Sequence, residues 1–584
     1  MPRPLGFSHH DGESIPALSK GGGKAVARAD WLAGFAFLAA VAAITLAPVL
    51  YVVAESFDVA PLGAPFRFGL DGWSDLVSSP RTASAILYSF ILAARVPIAI
   101  AAALVIAWLL IRVEVPGRRF IELTLLFGFF LPSVPMMMGW VLLLDANYGL
   151  LNVLVQKLPF VTGAIFSIYS VPGIMWVHLS LTTVPIMVIL FAPALRQLDT
   201  AYEEAAEMAG ASAFAVWRKV TLPLLAPAII TALIAGLIRS LETFEVEQLL
   251  GVPANIYVYA TRIFEMIAHE PPLFPQALAL STAFLAILFL LAGLFQIYLR
   301  RAGARPTLTG KGLRFKARPR AWAWLASVLL IAYVGFSILL PLAVLIAGSF
   351  NQLFGFFFID EPWTASHWLD VLSQESFLAA TVNSVTLGCA VGLIGVVLFA
   401  LAAWAIVRSH LWSREIVSFL VWLPWAIPGL VLGVTLLSLL LNVPGLNRLY
   451  GTLAPLVLAL IVKELPIGVQ MIRAAIAQVA PELEEAGRMA GAGFLPIFAR
   501  ITLRLVAPTL VSVFLLVFGS TIRDISTVVL IAAPGTRTLS LLMFDYAGSG
   551  RFEQAAVIGV IIAMIALAVS AMAFRLGNRQ GIAL

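Results

Sequence analysis

Charge is what this chain of 584 residues has least of. Asp, Glu, Lys and Arg together make up 12% of it, against 61% hydrophobic residues and a mean hydropathy of +0.99. A soluble fold of this length needs far more charge to cover its surface, so the composition excludes a water-soluble globular protein and points to a membrane. There is one cysteine, Cys389, inside an apolar run, which excludes an internal disulfide. The six histidines are His9, His10, His178, His269, His367 and His410, and only His178 falls within an apolar run. That scatter supplies neither a metal-ligand set nor a His-centred triad, and His178 reads as a lone core histidine. A nucleotide-binding loop of the form Gly-x4-Gly-Lys-Ser/Thr is also missing. Gly310-Lys311 is followed by Gly312 and has Arg305 in place of the first glycine, and Gly23-Lys24 is followed by Ala25. No catalytic residue and no metal site is therefore expected.

What the chain does have is long apolar runs. A bilayer-spanning helix needs about 20 mostly apolar residues. Twelve runs qualify, near 31–53, 83–111, 120–144, 171–195, 227–249, 276–299, 322–348, 378–407, 417–441, 453–472, 507–531 and 553–575. The polar segment 1–30 reads as an N-terminal tail, and the run after it as a first span, not a cleaved leader. Placing the N-terminus inside puts 26 of the 37 Lys and Arg in cytoplasmic segments and seven outside: Arg67, Arg81, Lys157, Arg262, Arg448, Arg537 and Arg551. Positively charged loops stay in the cytoplasm, so both termini are expected there. The densest basic cluster, Arg300 to Arg320, contains no acidic residue. It reads as a cytoplasmic linker touching anionic lipid, not as a nucleic-acid site.

The linker divides a tandem repeat. Pro48 with Ser56-Phe57 matches Pro341 with Ser349-Phe350 at a shift of 293, and Trp73 matches Trp368 at 295. Ala107-Trp108, Arg112 and Arg118 match Ala403-Trp404, Arg408 and Arg414 at 296. Leu131-Pro132 with Pro135 resembles Leu423-Pro424 with Pro428, and Gly149-Leu150 matches Gly445-Leu446. Beyond that point the shift is 281. Each half has six spans in the same orientation, which suits a pseudo-two-fold axis along the membrane normal. The expected domains are 31–299 and 321–584, joined by the linker 300–320.

The most informative segments are the inner loops 196–226 and 473–506. The first carries Glu203-Glu204-Ala205-Ala206-Glu207-Met208-Ala209-Gly210 and then Val220-Thr221-Leu222-Pro223. The second carries Glu484-Glu485-Ala486-Gly487-Arg488-Met489-Ala490-Gly491 and then Ile501-Thr502-Leu503-Arg504, each residue 281 after its counterpart. Alanine and glutamate favour a short helix. Gly210 and Gly491 can take positive φ and end it, and Pro223 suits the first turn of the helix that follows. Both segments resemble the EAA loop of ATP-binding-cassette importer permeases, Glu-Ala-Ala, three residues, Gly, nine residues, Ile-x-Leu-Pro. The second copy departs from it at Gly487 and Arg504.

That resemblance covers nearly the whole chain. It implies an all-α polytopic membrane protein built from two parallel six-helix permease domains of the type I (MetI-like) importer kind, in a bacterial inner membrane. It further implies that the chain is not an enzyme, that separate ATPase subunits in two copies bind ATP and Mg, and that an external solute-binding protein delivers the cargo to loops 54–82, 145–170, 250–275 and 349–377. The ATPase-coupling residues it implies are Glu204, Ala205, Ala206, Gly210, Pro223, Glu485, Ala486 and Gly491. The mechanism implied is alternating access of the two halves.

Ionisable residues within the membrane are costly and mark function. Arg239, Glu242, Glu245 and Glu247 follow one another in the fifth run, Lys463-Glu464 lie in the tenth and Arg523-Asp524 in the eleventh. The spacing predicts Glu242 and Glu245 on one helix face, with Arg239 able to pair with Glu242. Two readings stay open: paired charges that hold the halves together, or a substrate path lined by Glu242, Glu245, Glu247 and Asp524. Arg95, beside Pro97, reads as structural, with a carboxylate or carbonyl partner. Ser240 to Val246, Gly251-Val252-Pro253 and Ala260 to Glu265 look like the same segment of fused permeases assigned to ferric iron uptake. Carboxylates suit a hard cation. Thiamine, phosphonate or polyamine-like solutes use the same fused machinery, and a secondary transporter is the rival class, which would not explain two EAA-like loops.

Overall fold

A computed structural model of the chain describes residues 37–60, 65–302, 322–408 and 414–579. The tail expected over 1–30 and nearly all of the linker expected over 300–320 lie outside the described residues. Among the described residues nine helices are long and apolar enough to cross a membrane, and three further pairs of helices qualify if each bent pair is one span. The bent pairs are Arg118–Phe130 with Ser133–Leu144 (109°), Arg414–Ala426 with Gly429–Asn442 (101°), and Phe494–Leu505 with Ala507–Arg523 (78°).

The first two bends occupy the same place in the two halves. Leu131 and Ile427 are extended, each immediately before a proline, Pro132 or Pro428. Proline has no N–H to continue the ladder and pushes the preceding residue out of the helical region. The structural counterpart of Pro132 is therefore Pro428, at a shift of 296, and not Pro424 as the local sequence resemblance suggests. Pro424 sits inside the short 3₁₀ turn Leu423–Ala426.

Each half sends its first span to the other half. A Cβ on Gly139, in Ser133–Leu144, would lie 2.2 Å from the carbonyl oxygen of Pro341, and one on Gly348 would lie 2.4 Å from Leu142 Cδ1. Such approach is how helices associate in a membrane, where packing replaces the hydrophobic effect. On the opposite side Tyr51, in Phe37–Glu55, lies 3.4 Å from Ser438 of Gly429–Asn442. The repeat extends to the loops after these spans. Phe57 stacks on Trp73 (5.7 Å) and Phe350 on Trp368 (5.4 Å), and the isolated antiparallel bridges Asp58–Phe68 and Asn351–Trp363 close both loops.

The fifth span differs from its expected bounds. The helix runs Ala213–Leu241, taking in residues assigned to the inner loop, and stops before Glu242. Its end has a definite cause: the Ser240 carbonyl, which would accept from the fourth residue onward, is taken by Thr243 Oγ1 (3.0 Å) and by Arg95 Nη2 of a distant helix (3.2 Å). Glu242 and Glu245 are thus not on one helix face. Pro223 is in the first turn of the α-helical segment Leu222–Leu241, as expected, and that segment continues directly from a π turn at Trp217–Thr221. The same π turn recurs at Phe498–Thr502.

Candidate functional site

Two short helices, Ala201–Met208 and Glu482–Met489, form matching elbows. Each is closed by a glycine in the left-handed region, Gly210 at φ +85° and Gly491 at φ +81°. The closing bonds have Schellman form: Ala211 N donates to Ala206 O (3.0 Å) and Ala492 N to Gly487 O (3.1 Å). A Cβ at either glycine would meet nothing within 4 Å, so it is backbone conformation and not crowding that calls for glycine there.

One set of contacts ties each elbow to the body. Thr221 Oγ1 donates to Glu203 (2.9 Å) and Thr502 Oγ1 to Glu484 (2.8 Å). Arg112 Nε lies 3.2 Å from Glu203, and Arg408 Nε lies 3.7 Å from Glu484. The same arginines cap the end of the preceding helix, Arg112 at the Leu198 carbonyl (3.3 Å), Arg408 at those of Ile476 (3.0 Å) and Val479. Cations at a helix C-terminus satisfy its orphan carbonyls and its dipole. In the second half Trp404 Nε1 also donates to Glu484 (3.3 Å).

Of each Glu-Glu pair, the first residue is therefore the anchor, while the second, Glu204 or Glu485, is exposed, as are Ala205 and Ala486. Met208 and Met489, both 89% exposed, are the most exposed large apolar side chains among the described residues. Sequence reading missed the anchors Glu203 and Glu484 and the projecting methionines. The signal was present in the last two: an apolar residue repeated at 281 in an otherwise polar loop. The departure at Gly487 has a packing cause. A Cβ there would lie 3.0 Å from Ile501 and 3.2 Å from Ile497, where the first half has Ala206 facing a chain with Val220 and Val216. The missing methyl offsets two added ones. At the other departure, the copy with Pro223 continues as one helix, Ala213–Leu241, and the copy with Arg504 bends 78° two residues later. Both copies have the following proline, Pro227 or Pro508, so that proline does not decide the difference.

The charged residues form a seam between the halves. Glu242 accepts from Arg239 (3.0 Å), and its other oxygen is buried without a hydrogen-bond partner. Glu245 reaches across to accept from Ser526 N (3.2 Å). Asp524 pairs with Lys463 and accepts from Thr527 N (3.0 Å), while Glu464 accepts from Ser520 (2.6 Å). Arg523 donates across the seam to the Phe129 (3.1 Å) and Phe130 (3.3 Å) carbonyls. The structure thus brings Glu242, Glu245 and Asp524 to one seam, but not Glu247. Glu247 is fully buried in a separate network, 2.8 Å from His178 Nε2, 2.7 Å from Thr243 Oγ1 and 3.9 Å from Arg95. Its carboxylate faces Arg95 and His178 and not the seam. No group of three or more His, Cys, Asp or Glu among the described residues is placed to hold a metal ion.

Two matching elbows, one per half, are the feature that calls for comparison with known transporters. Residues 95–305 and 384–579 both match the family described as binding-protein-dependent transport system inner membrane component. The chain belongs to that family. This permease is similar to the Fe(3+)-transport system permease protein FbpB 2 of Haemophilus influenzae, at 23% identity over 87% of this chain and 91% of that one. It is also similar to the probable ABC transporter permease protein y4fN of Sinorhizobium fredii, at 26% identity over 79% and 82%. A solved bacterial transporter that imports the acidic polysaccharide alginate matches 44% of the permease and 95% of its own chain, at 23% identity and a TM-score of 0.37. The permease is accordingly a non-catalytic, multi-pass inner-membrane component of an ABC importer, with ATP bound by a separate ATPase.

Proposed function

We propose that this permease forms the path of a ferric iron importer, with two ATPase subunits docked on the elbows Ala201–Gly210 and Glu482–Gly491. The duplicated anchoring carries the reading of the elbows: Glu203 and Glu484 make the same ties to Thr221 and Arg112, and to Thr502 and Arg408. A rigidly held helix that offers an 89%-exposed methionine is a knob for an apolar groove on a partner, and Glu204 and Glu485 beside it suit basic groups there. In this reading Ala205, Ala206 and Ala486 keep the knob slim, and Gly210 and Gly491 set its exit angle. Pro223 then governs how the elbow's motion enters the fifth span.

Nucleotide-driven closure of the ATPases moves both elbows, and the halves part along the seam. The excess of Lys and Arg on the elbow side supports cytoplasmic termini. The opposite loops, 54–82, 145–170, 250–275 and 349–377, receive the binding protein. Ferric iron is supported by the similarity to FbpB 2 and by the carboxylates Glu242, Glu245 and Asp524 at the seam, since oxygen donors suit hard cations. Glu242 and Asp524 are ion-paired and Glu245 accepts from a backbone N–H, which suits transit and not storage.

The test is reconstitution of the permease with its ATPase in proteoliposomes. Ferric-loaded binding protein is expected to stimulate ATP hydrolysis several-fold over the apo form. ATPase association without ferric stimulation would reject iron and keep the importer; no association would reject the elbows.

A further inference from the structure

The seam is crossed twice by arginine, once from each half. Arg239 of the first half lies over the Trp425 ring at 5.9 Å, and Arg523 of the second half lies over the Phe129 ring at 5.8 Å. Phe129 and Trp425 are counterparts at the shift of 296, each two residues before the extended residue at which its helix breaks. Each half therefore sets a guanidinium on the broken helix of the other.

The two crossings are not equal. Arg239 is held by Glu242 of its own half and is 48% exposed. Arg523 donates to the Phe129 and Phe130 carbonyls, at the end of Arg118–Phe130, where Pro132 offers no N–H to continue the ladder. A cation is favoured at such an end by the unpaired carbonyls and by the helix dipole. Around Arg523 stand Glu464 and Asp524 of its own half and Glu245 of the other, all within electrostatic reach. Lys463 neutralises Asp524, and Ser520 is the partner of Glu464.

We propose that Arg523 is a one-sided latch of the closed seam, a positioning residue that couples opening to transport. In the closed state it grips the Phe129 and Phe130 carbonyls. When the halves part, those carbonyls withdraw and the guanidinium passes to Glu464 of its own half. A charge that always has a partner can move within the membrane without facing lipid, and two alternative partner sets give the seam two discrete states. Arg239 makes no hydrogen bond across the seam and is not a latch. This inference rests on the reading that the halves part during transport.

The experiment uses the full permease in nanodiscs, with and without its ATPase, as wild type, Arg523→Met, Arg523→Lys, Arg239→Met and Glu464→Gln. Without ATPase, amide exchange over residues 127–134 is expected to rise at least several-fold in Arg523→Met and to stay unchanged over 423–430 in Arg239→Met. With ATPase, Arg523→Met is expected to raise hydrolysis in the absence of binding protein several-fold, so that stimulation by binding protein is lost. A merely structural role would lower both activities together. Arg523→Lys is expected to restore part of the stimulation. Glu464→Gln, which keeps the latch but removes the open-state partner, is expected to lower stimulated hydrolysis while leaving exchange over 127–134 at the wild-type level. Equal behaviour of Arg523→Met and Arg239→Met in exchange would overturn the latch. If Arg523→Met does not fold, wild-type stimulated hydrolysis in Glu464→Gln would overturn it instead. Exchange that follows the prediction while Arg523→Met hydrolyses ATP as wild type does would keep the grip on the carbonyls and overturn the coupling.

Discussion

The elbows and the seam belong to the same tandem repeat but were copied with different care. At the elbows the counterparts keep their chemistry: Glu203 and Glu484, Thr221 and Thr502, Arg112 and Arg408, Met208 and Met489, Gly210 and Gly491. At the seam the same shift of 281 sets Glu242 against Arg523, Thr243 against Asp524, Glu245 against Ser526 and Glu247 against Val528. A surface that meets the same kind of partner twice has to be built twice. A path on the axis between two halves is built once, so each half can supply a different part of it.

The largest effect is expected where one half has a buried network that the other lacks. Glu247→Ala strips Arg95 and His178 of their carboxylate, and breaking a buried pair costs about 3–5 kcal/mol. Thermal unfolding in detergent should show that loss, whereas Val528→Ala, at the counterpart position, should cost only about 2 kcal/mol, between the loss of one methyl and the truncation of a larger aliphatic residue. Equal losses would mean that the network is not what distinguishes the halves.

Next come the anchors. The side chain of Glu484 is 2% exposed and that of Glu203 17%. Glu484→Ala should therefore destabilise more than Glu203→Ala, the first by about 3 kcal/mol and the second by roughly half of that, because solvent screens the more open pair. The same unfolding measurement checks the order, and a reversed order would mean that burial does not set the strength of these ties.

The smallest effect concerns the compensating methyls. Gly487→Ala places a Cβ 3.0 Å from Ile501 and 3.2 Å from Ile497, and overpacking of this kind costs about 1–3 kcal/mol. Adding Ile501→Val should recover most of that loss. No recovery in the double variant would show that the two departures from symmetry are unrelated.

Much of this architecture was legible in the chain. Apolar runs of span length gave the helices, and the shift of 281 gave both elbows and their closing glycines, because a left-handed turn after an Ala/Glu helix leaves a strong local mark. What was not legible depended on tertiary partners. The fifth span ends at Leu241 because Arg95, from a distant helix, takes the Ser240 carbonyl. Glu247 and Glu245 look alike in sequence, yet one faces Arg95 and His178 and the other crosses the seam to Ser526. Glu204 and Glu203 differ by one position, and only the direction of the side chain makes Glu203 the anchor and leaves Glu204 outside. Pro132 and Pro428 could be paired only once the breaks in both helices were seen.

The most direct test of the elbows is retention of the ATPase by the Met208→Asp/Met489→Asp double variant during purification. Both side chains are 89% exposed, so the unfolding temperature should not change. The account predicts a folded, membrane-inserted permease that retains no ATPase and transports nothing, with each single variant in between. Wild-type retention and transport in the double variant would contradict it.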